Sequence, residues 1–408
     1  MSFQRLIAQR LKGRLEDIFL KVNETLIEKE RIQTDILYID GTKLEANARK
    51  TSFVWKKAVL KHRERLYTKI TTCFEELGIP SQPTYRSQDL FPHFMALLEC
   101  LRQEKIELVK GKGTRKTPLQ RTYETLKGHY DKLGEYENHL AICGERNSYS
   151  KSDHDATFMH MKEDYYMRTG IFKAGYNLQL GVSDEYILLA KTFPNPTDTL
   201  TFISFLEQYR KAYGKDPRYP VGDAGYGSYD NYLYCLSHRM ELVQKYNNYE
   251  AEKNGKYRKD PFYTKNMIQE DGSLKCPNGQ AFVFVKEKVR TEGRYPRYEH
   301  EYRCEDCRGC SFAQACKRSE TERTLTLKPV LLQLQAQAKE NLDSEWGIKL
   351  RVQRSIQSES TFGILKNNWG KLRFSRRGKE NVENELLLLC IGYNLMKYHQ
   401  KKTRHSLN

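Results

Sequence analysis

The sequence predicts an α/β protein, because strand-like and helical segments follow one another along much of the chain. Apolar residues 36–39, ILYI, indicate a buried strand, and IFKAGYNLQLGVS and EYILLAKTF carry the β-branched and aromatic residues of strands. Helical patterns follow at 199–213 and near 228–237, and MELVQKY at 240–246 has strand character. This alternation of strands and helices is typical of an α/β sheet.

Two insertions interrupt the predicted sheet. Breaker-rich stretches separate three helical segments within 51–150, and a polar segment with five cysteines occupies 250–325. The predicted divisions are an N-terminal helix at 1–33, the first core strand at 34–50, a helical insertion at 51–150, the rest of the core at 151–249, a Cys-rich β insertion at 250–325 and C-terminal helices at 326–408.

The composition is that of a folded, strongly basic protein. Lys and Arg number 69 against 52 Asp and Glu, which gives a net charge of +17. A polyanion is the natural partner, because basic side chains that neutralise phosphates release counterions. No apolar run approaches the roughly 18 residues of a membrane span, and the charged N-terminal residues do not resemble a signal peptide. We therefore expect a cytoplasmic, nucleoid-associated protein, whose ten cysteines indicate metal binding or unreactive thiols before disulfides.

Three acidic residues are candidates for a catalytic metal site. Asp40 directly follows the apolar strand 36–39, and Gly41 would let the backbone turn there. Asp223 follows the short apolar stretch RYPVG. Ligand sites of α/β sheets gather at the carboxyl ends of strands, and separated carboxylates can hold the metal pair used in phosphodiester cleavage. Glu359 would complete the set from a helix packed near those strand ends.

Glu359 lies in the stretch 351–371, which reads as a straight helix. At about 100° per residue, the residues that share its face are Val352, Ser355, Gly363 and Lys366. Taken alone, Glu359 could be a solvated surface residue. The two acidic motifs at strand ends favour a catalytic role.

Several motifs occur in an order that resembles a known family. They are IDGTKLEANA, DHDATFMHMK, NPTDT, GDAGYGS and RSIQSESTFGILK, followed by RRGKENVENELLLLCIGYNLMK. Together they resemble the DDE transposases of bacterial insertion sequences over nearly the whole chain. The resemblance implies an RNase H-like mixed sheet flanked by helices, with Asp40, Asp223 and Glu359 as a triad that binds two Mg²⁺ or Mn²⁺ ions.

Related transposases carry the signature Y-x2-R-x3-E-x6-K on the last helix. Lys366 falls at its Lys position, whereas Val352 and Ser355 stand at the Tyr and Arg positions. Arg354 lies one residue early, and on a straight helix Arg351 would lie closer to the glutamate face.

The N-terminal region is expected to be short for this family. Members usually carry a helical DNA-binding region ahead of the first motif, whereas 39 residues precede Asp40 here. The helix at 1–33 would be the remnant of that region, in a truncated copy.

A basic run without acids follows the proposed catalytic glutamate and is interleaved with Trp369 and Phe374. DNA bound at the metal ions would lie against this run. The candidate DNA- and phosphate-binding residues are Lys366, Arg354, Arg351, Lys371, Arg373, Arg376 and Arg377.

The expected function is DNA transposition, in which element ends are cut by metal-dependent hydrolysis and then joined to target DNA. The partners would be the double-stranded DNA of ends and target and a second copy of the chain, since a homodimer can pair two ends. One alternative is an inactive truncated remnant that binds DNA or a sibling transposase without catalysis. Another is a nuclease of the same fold with a different role.

The cysteines of the 250–325 segment form a second candidate metal site. They are Cys276, Cys304, Cys307, Cys310 and Cys316. Four thiolates in a reducing compartment suit a structural Zn²⁺ ion. An iron–sulfur cluster and unmetallated thiols are the alternatives.

Three further acids have simpler interpretations. Asp153 and Asp155 are expected to begin a strand rather than to bind a ligand. Asp198 in NPTDT is expected to cap a helix N-terminus.

Overall fold

The computed structural model describes residues 10–11, 13–111, 115–162, 170–317 and 320–407. The chain divides into two compact units. The first comprises Met1–Thr42, Asn177–Lys371 and Glu383–Asn408, and the second comprises Lys43–Tyr176 and Leu372–Val382.

The fold is mixed α/β, which confirms the predicted class. The strands are β1 Ile36–Glu45, β2 Phe53–Trp55, β3 Ser148–Ser150, β4 Thr157–Met161, β5 Ile171–Ser183, β6 Tyr186–Phe193, β7 Tyr219–Val221, β8 Phe282–Arg290, β9 Arg297–Cys304 and β10 Thr324–Leu327. The α-helices are α1 Leu15–Glu30, α2 Lys56–Glu76, α3 Ser87–Gln103, α4 Pro118–Cys143, α5 Phe202–Tyr213, α6 Tyr229–Ser237, α7 Tyr249–Lys253, α8 Ala313–Cys316, α9 Pro329–Asp343, α10 Glu345–Arg354, α11 Ser360–Gly363 and α12 Lys379–Leu407.

The sheet of the first unit is built around β1. On one side β7 runs parallel to β1, with Tyr38 opposite Val221. On the other side lies β5, whose residues 177–183 pair antiparallel with β6. β1 is therefore an interior strand with its main-chain groups paired on both edges.

The strand predicted at 240–246 is wrong. Within this segment, all of which the structure describes, only Gln244 bridges a neighbouring strand residue, Gly222. The side chain of Gln244 donates a hydrogen bond to the carbonyl of Pro220. A side-chain amide thus takes a backbone acceptor of β7 that the main chain of a regular ladder would otherwise use.

Both faces of β1 are buried, and this decides where Asp40 points. Leu37 and Ile39 pack in a cluster with α5, and Ile36 and Tyr38 pack in another with α10. Side chains alternate between the two faces of a strand. Asp40 therefore continues the row of Ile36 and Tyr38, on the face that α10 covers.

Buried asparagines cover the outer edge of β6. Asn23 of α1 donates to the carbonyls of Ile187 and Leu188 at 3.2 and 3.1 Å. Asn394 of α12 donates to the Ile187 carbonyl at 2.8 Å and accepts from the Ile187 N–H at 2.9 Å. An edge strand otherwise exposes unpaired main-chain groups, so these two side chains close the edge and fix both helices against it.

Three helices dominate the second unit. α2, α3 and α4 share a buried cluster that includes Ile70, Leu90 and Leu126. β2 pairs antiparallel with β3, and β4 pairs with residues 171–175 of β5. A buried ion pair joins Lys173 to Glu45 at 2.7 Å.

Asp153 and Asp155 have structural partners in the second unit. Asp155 accepts a hydrogen bond from the N–H of Lys379, the first residue of α12, at 2.7 Å. Asp153 accepts from the Tyr176 hydroxyl at 2.9 Å and from the Gly378 N–H at 3.2 Å. The expectation that they begin a strand is wrong, since both residues precede β4, and their carboxylates instead accept hydrogen bonds at the start of α12.

In the described part of the chain, no helix is both long enough and apolar enough to cross a membrane.

Candidate active site

Asp40 and Asp223 lie side by side in the first unit. Because Tyr38 pairs with Val221 in parallel strands, two further residues along each strand bring the two aspartates level. Asp40 lies within β1, and Asp223 lies just beyond the end of β7. Their shared location follows from the register of one strand pair.

Local donors hold one oxygen of each carboxylate. Oδ1 of Asp40 accepts from the N–H of Gly41 at 2.8 Å, and Oδ1 of Asp223 accepts from the N–H of Gly225 at 2.8 Å. The second oxygen of Asp40, Oδ2, lies 3.4 Å from Nη1 of Arg354. The aspartates are thus oriented by short-range contacts, and one guanidinium neutralises part of their charge.

The surroundings of Asp40 disfavour the ionised form of its carboxyl group. The pKa of Asp40 is raised to about 6, chiefly by burial and in addition by the neighbouring charges of Asp223 and Asp198. Arg354 and the N–H of Gly41 act in the opposite direction. The site therefore has more negative charge than its protein cations balance.

Gly41 does not turn the chain, contrary to the sequence-based expectation. β1 continues through Gly41 to Glu45. A Cβ atom at this position would lie 2.2 Å from Nε2 of Gln179 and 2.8 Å from Oδ1 of Asp198. Glycine is required because other side chains approach the strand closely, not because the backbone bends.

Asp198 does not cap a helix, and that expectation is wrong. It begins a short 3₁₀ turn, Asp198–Leu200, just before α5. Its Oδ1 accepts from Nδ2 of Asn177 and from Nε2 of Gln179, both at 2.8 Å. The carboxylate is bound to β5 side chains, and its charge acts on Asp40.

Asn177 and Gln179 are site residues that the sequence reasoning missed. Both side chains are fully buried, and the Tyr226 hydroxyl donates to Oε1 of Gln179. The signal was present in the sequence, because two amide residues two positions apart lie on one face of a strand, between the apolar residues Tyr176, Leu178 and Leu180.

The helix that carries Glu359 is not a straight α-helix. α10 ends at Arg354, and two π-helical turns, Ser355–Glu359 and Ile364–Asn368, flank α11. A π turn closes hydrogen bonds between residues five apart rather than four. The extra residue changes the direction in which the side chains on either side of the π turn point. The helix face assigned to Glu359 from a constant angle per residue therefore does not apply here.

This change of phase decides between the two candidate arginines. Arg354 reaches Asp40, whereas the guanidinium of Arg351 lies over the ring of Tyr249 at 5.5 Å and 4.0 Å from Asp343. The expectation that Arg351 would lie on the site side is therefore wrong. In the signature the arginine lies four positions before the glutamate, whereas Arg354 lies five positions before Glu359. The additional residue of the π turn accounts for this difference of one position.

Glu359 itself is exposed at the end of the first π turn. Among the residues that the structure describes, none forms a hydrogen bond or ion pair with its carboxylate. Its role as third member of the triad stays a prediction. Lys366 lies half-buried in the second π turn.

Part of the predicted DNA-binding run makes contacts within its own unit. In the first unit, Lys371 pairs with Glu385. In the second unit, Arg373 lies 3.7 Å from Glu45, and Arg377 donates to the Asn47 carbonyl at 2.6 Å. Arg376 is half-buried. Contact of these residues with DNA stays a prediction.

The Cys-rich segment forms a three-stranded antiparallel sheet in the order β10–β9–β8. At the end of β9, Cys304 has the thiols of Cys307 and Cys276 as hydrogen-bonding neighbours, and burial together with these thiols raises the pKa of Cys304 to about 12. Cys316 instead accepts from Nη1 of Arg323 at 2.9 Å. Three of the five predicted ligands thus converge.

Neither cluster has the spacing of a bound metal ion. Among the described residues, no group of three or more His, Cys, Asp or Glu side chains is arranged as a metal site. The donor chemistry nevertheless fits: carboxylate oxygens suit Mg²⁺ or Mn²⁺, and clustered thiols suit Zn²⁺. Both metal assignments stay predictions.

A comparison with known protein families shows what part of the chain resembles. Residues 275–399 match the family model described as a transposase DDE domain, which supports a DDE transposase. The matched segment contains Glu359 and the clustered cysteines, and Asp40 and Asp223 lie outside it. No curated protein and no solved structure gave a significant match.

The approach of Asp198 and Gln179 to Gly41 makes a testable prediction. We expect Gly41→Ala to destabilise the protein by about 1–3 kcal/mol, because the new methyl group overlaps side chains that are held by hydrogen bonds. Urea unfolding measures the change. Gly128→Ala is the control, since a Cβ at this exposed position in α4 meets no atom within 4 Å and should stabilise by about 0.5–1 kcal/mol. Equal stability of the two variants would contradict the close approach.

Proposed function

We propose that the chain is a DNA transposase of an insertion sequence. It would hydrolyse phosphodiester bonds at element ends and then transfer the resulting 3′-OH to target DNA. The observation that carries the proposal is the juxtaposition of Asp40 and Asp223 on adjacent parallel strands, in a chain whose Glu359 segment matches a transposase DDE domain. Catalysis by this site and its dependence on divalent metal ions are parts of the same proposal.

An RNase H-like core is the fold that we propose for this chemistry. The order β6–β5–β1–β7, extended by the parallel bridge at Gln244, supports it. If β1, β5, β6 and β7 are numbered 1 to 4 along the chain, their order across the sheet is 3-2-1-4. The segment that contains Gln244 then takes the fifth place, next to β7. The mixed directions and the helices on both faces of β1 fit the same fold.

Asp40, Asp223 and Glu359 would hold two Mg²⁺ or Mn²⁺ ions. When bound, such ions activate the attacking oxygen and stabilise the leaving oxygen of an in-line displacement. The chain orients its carboxylates through the N–H groups of Gly41 and Gly225. Arg354, held against Asp40, would lie where it can steady a scissile phosphate.

Double-stranded DNA is the proposed substrate, and the net charge of +17 supports a polyanion. Lys366 and the basic run after it would contact the phosphates beside the cut. Lys371 and Arg373 each have a carboxylate partner within their own unit. A homodimer would bring the two element ends together.

Removing the charge of Asp223 tests the proposed chemistry. We expect Asp223→Asn to abolish nicking of supercoiled plasmid in Mg²⁺ or Mn²⁺, because the variant lacks a metal-binding oxygen, while DNA binding in a mobility-shift assay persists. Glu345→Gln is the control, since this side chain is 86% exposed on α10 and should leave both readouts unchanged.

Two results would contradict the proposal. Undiminished nicking by Asp223→Asn would show that the acidic site is not the nuclease site. DNA binding by the unmodified chain without nicking or joining, with either metal and with the DNA that flanks its gene, would favour the inactive remnant.

The two arginines of α10 provide a second test. We expect Arg354→Ala to lower the nicking rate by at least about tenfold, which corresponds to about 1.4 kcal/mol, because it removes the cation at Asp40. Arg351→Ala should instead lower the melting temperature, since it loses its contacts with Tyr249 and Asp343. A larger loss of nicking in Arg351→Ala than in Arg354→Ala would contradict the assignment.

We further propose that the Cys-rich module binds a structural Zn²⁺ ion through Cys276, Cys304, Cys307 and one further cysteine. The convergence of three thiols supports this. Metal analysis of the purified protein should find about one zinc per chain, and Cys304→Ser should lose it together with thermal stability. Cys100→Ser, at an exposed position in α3, should retain it. Bound iron with visible absorption would favour an iron–sulfur cluster instead.

A further inference from the structure

One face of α2, in the second unit, carries a row of four cations. Lys57, Lys61, Arg65 and Lys69 follow one another at intervals of four residues, and all four are exposed. With 3.6 residues per turn, each member is rotated by about 40° from the one before, so the row stays within about a third of the helix circumference. We call this row the basic ridge.

The opposite face of α2 holds the helix in its bundle. Leu66, Ile70 and Phe74 are buried in the cluster that α2 shares with α3 and α4. The basic ridge therefore points away from the core of its unit. A membrane surface does not fit this helix, because helices that lie on a membrane bury an apolar face in the lipid.

The basic ridge differs from the neighbouring helix α4 in how its charges are compensated. In α4, Lys127 pairs with Asp131 and Lys132 pairs with Glu135, both at 2.7 Å. Within the part of the chain that the structure describes, no side chain of the basic ridge forms an ion pair or a hydrogen bond. Like charges four residues apart on a helix repel each other. The basic ridge is thus a set of uncompensated cations in a bundle whose other exposed cations have acidic partners.

The charges of α2 are also arranged against the helix dipole. Acids in the first turn and cations in the last turn stabilise an α-helix. α2 has neither an acid in its first turn nor a cation in its last turn. Lys56 and Lys57 begin the helix instead, and Glu75 and Glu76 end it. The cations therefore do not stabilise the helix, and folding does not account for their placement.

The side chain of α4 that lies beside the last member of the ridge is not an anion. Burial lowers the pKa of His129, and the charge of Lys69 lowers this pKa further. The neutral imidazole is thereby favoured, so the charge of Lys69 stays uncompensated on that side. An anion from outside the bundle is the partner that the ridge lacks.

We propose that the basic ridge binds the phosphates of double-stranded DNA. From Lys57 to Lys69 the ridge spans about 18 Å, because each residue of an α-helix adds about 1.5 Å. Phosphates of one DNA strand follow one another at about 3.4 Å, so the ridge can run beside about five of them. The inference rests on the proposed function, since the ligand is the DNA that the candidate site would cut.

Replacing the two central cations tests the proposal. For Lys61→Gln/Arg65→Gln in the full chain, we expect the Kd for a duplex, measured by fluorescence anisotropy, to rise at least about tenfold at roughly 100 mM salt. The slope of log affinity against log salt concentration should decrease by about 1.8, because each lost phosphate contact removes about 0.9. Without DNA, the melting temperature should equal or exceed that of the unmodified chain, since repulsion between like charges has been removed.

The matched control is Lys127→Gln/Lys132→Gln, which removes the same charge from paired cations that are 44% and 48% exposed. This variant should leave the salt slope unchanged. Equal losses of affinity and slope in the two double variants would show that only net charge matters, and would overturn the proposal. An unchanged slope in Lys61→Gln/Arg65→Gln overturns it as well. So does a clear fall in the melting temperature of that variant, since the two cations would then stabilise the fold.

Failure of this inference can be told apart from failure of the proposed function. If Lys61→Gln/Arg65→Gln binds and nicks DNA like the unmodified chain while Asp223→Asn does not nick, the nuclease site stands and only the role of the basic ridge falls. If the unmodified chain binds no duplex even at low salt, the DNA substrate is wrong and both proposals fall.

Discussion

Burial of a carboxylate beside other charges is the constraint on which the candidate site depends. Burial is the main cause that raises the pKa of Asp40, and the nearby charges of Asp223 and Asp198 add to the effect. Such an arrangement persists only where the fold holds each group in place. The interior position of β1, its parallel pairing with β7 and the asparagines that close the β6 edge supply that rigidity. Arg354 compensates part of the charge, and the remainder is what a bound cation would neutralise.

The helix that carries Glu359 shows how one extra residue changes which side chain meets the site. A constant rotation per residue placed Arg351 toward the glutamate face. The π turn at Ser355–Glu359 changes the phase, and Arg354 meets Asp40 instead. π turns are rare and often occur at functional sites. Here the π turn accounts for the distance in sequence between Arg354 and Glu359, which is one residue longer than the distance between the arginine and the glutamate of the signature.

The sequence was informative where hydrophobic pattern decides structure and less so where contacts between distant residues decide it. The run ILYI predicted a buried strand ending at Asp40, and the strand pairing placed Asp223 beside it. Gly41 and Asp198 were misread because glycine and aspartate have common local roles, in turns and helix caps. Their actual role depends on Gln179, which is distant in sequence and meets them only after β5 pairs beside β1. The same limit applies to 240–246, where a side-chain amide takes a backbone acceptor.

Two independent observations bear on the same function. The family match at 275–399 contains Glu359 but neither Asp40 nor Asp223. The aspartates are brought together by the register of β1 and β7, which owes nothing to that match. Asn177 and Gln179 are fully buried, and their hydrogen bonds to Asp198 offset the cost of burying their amides.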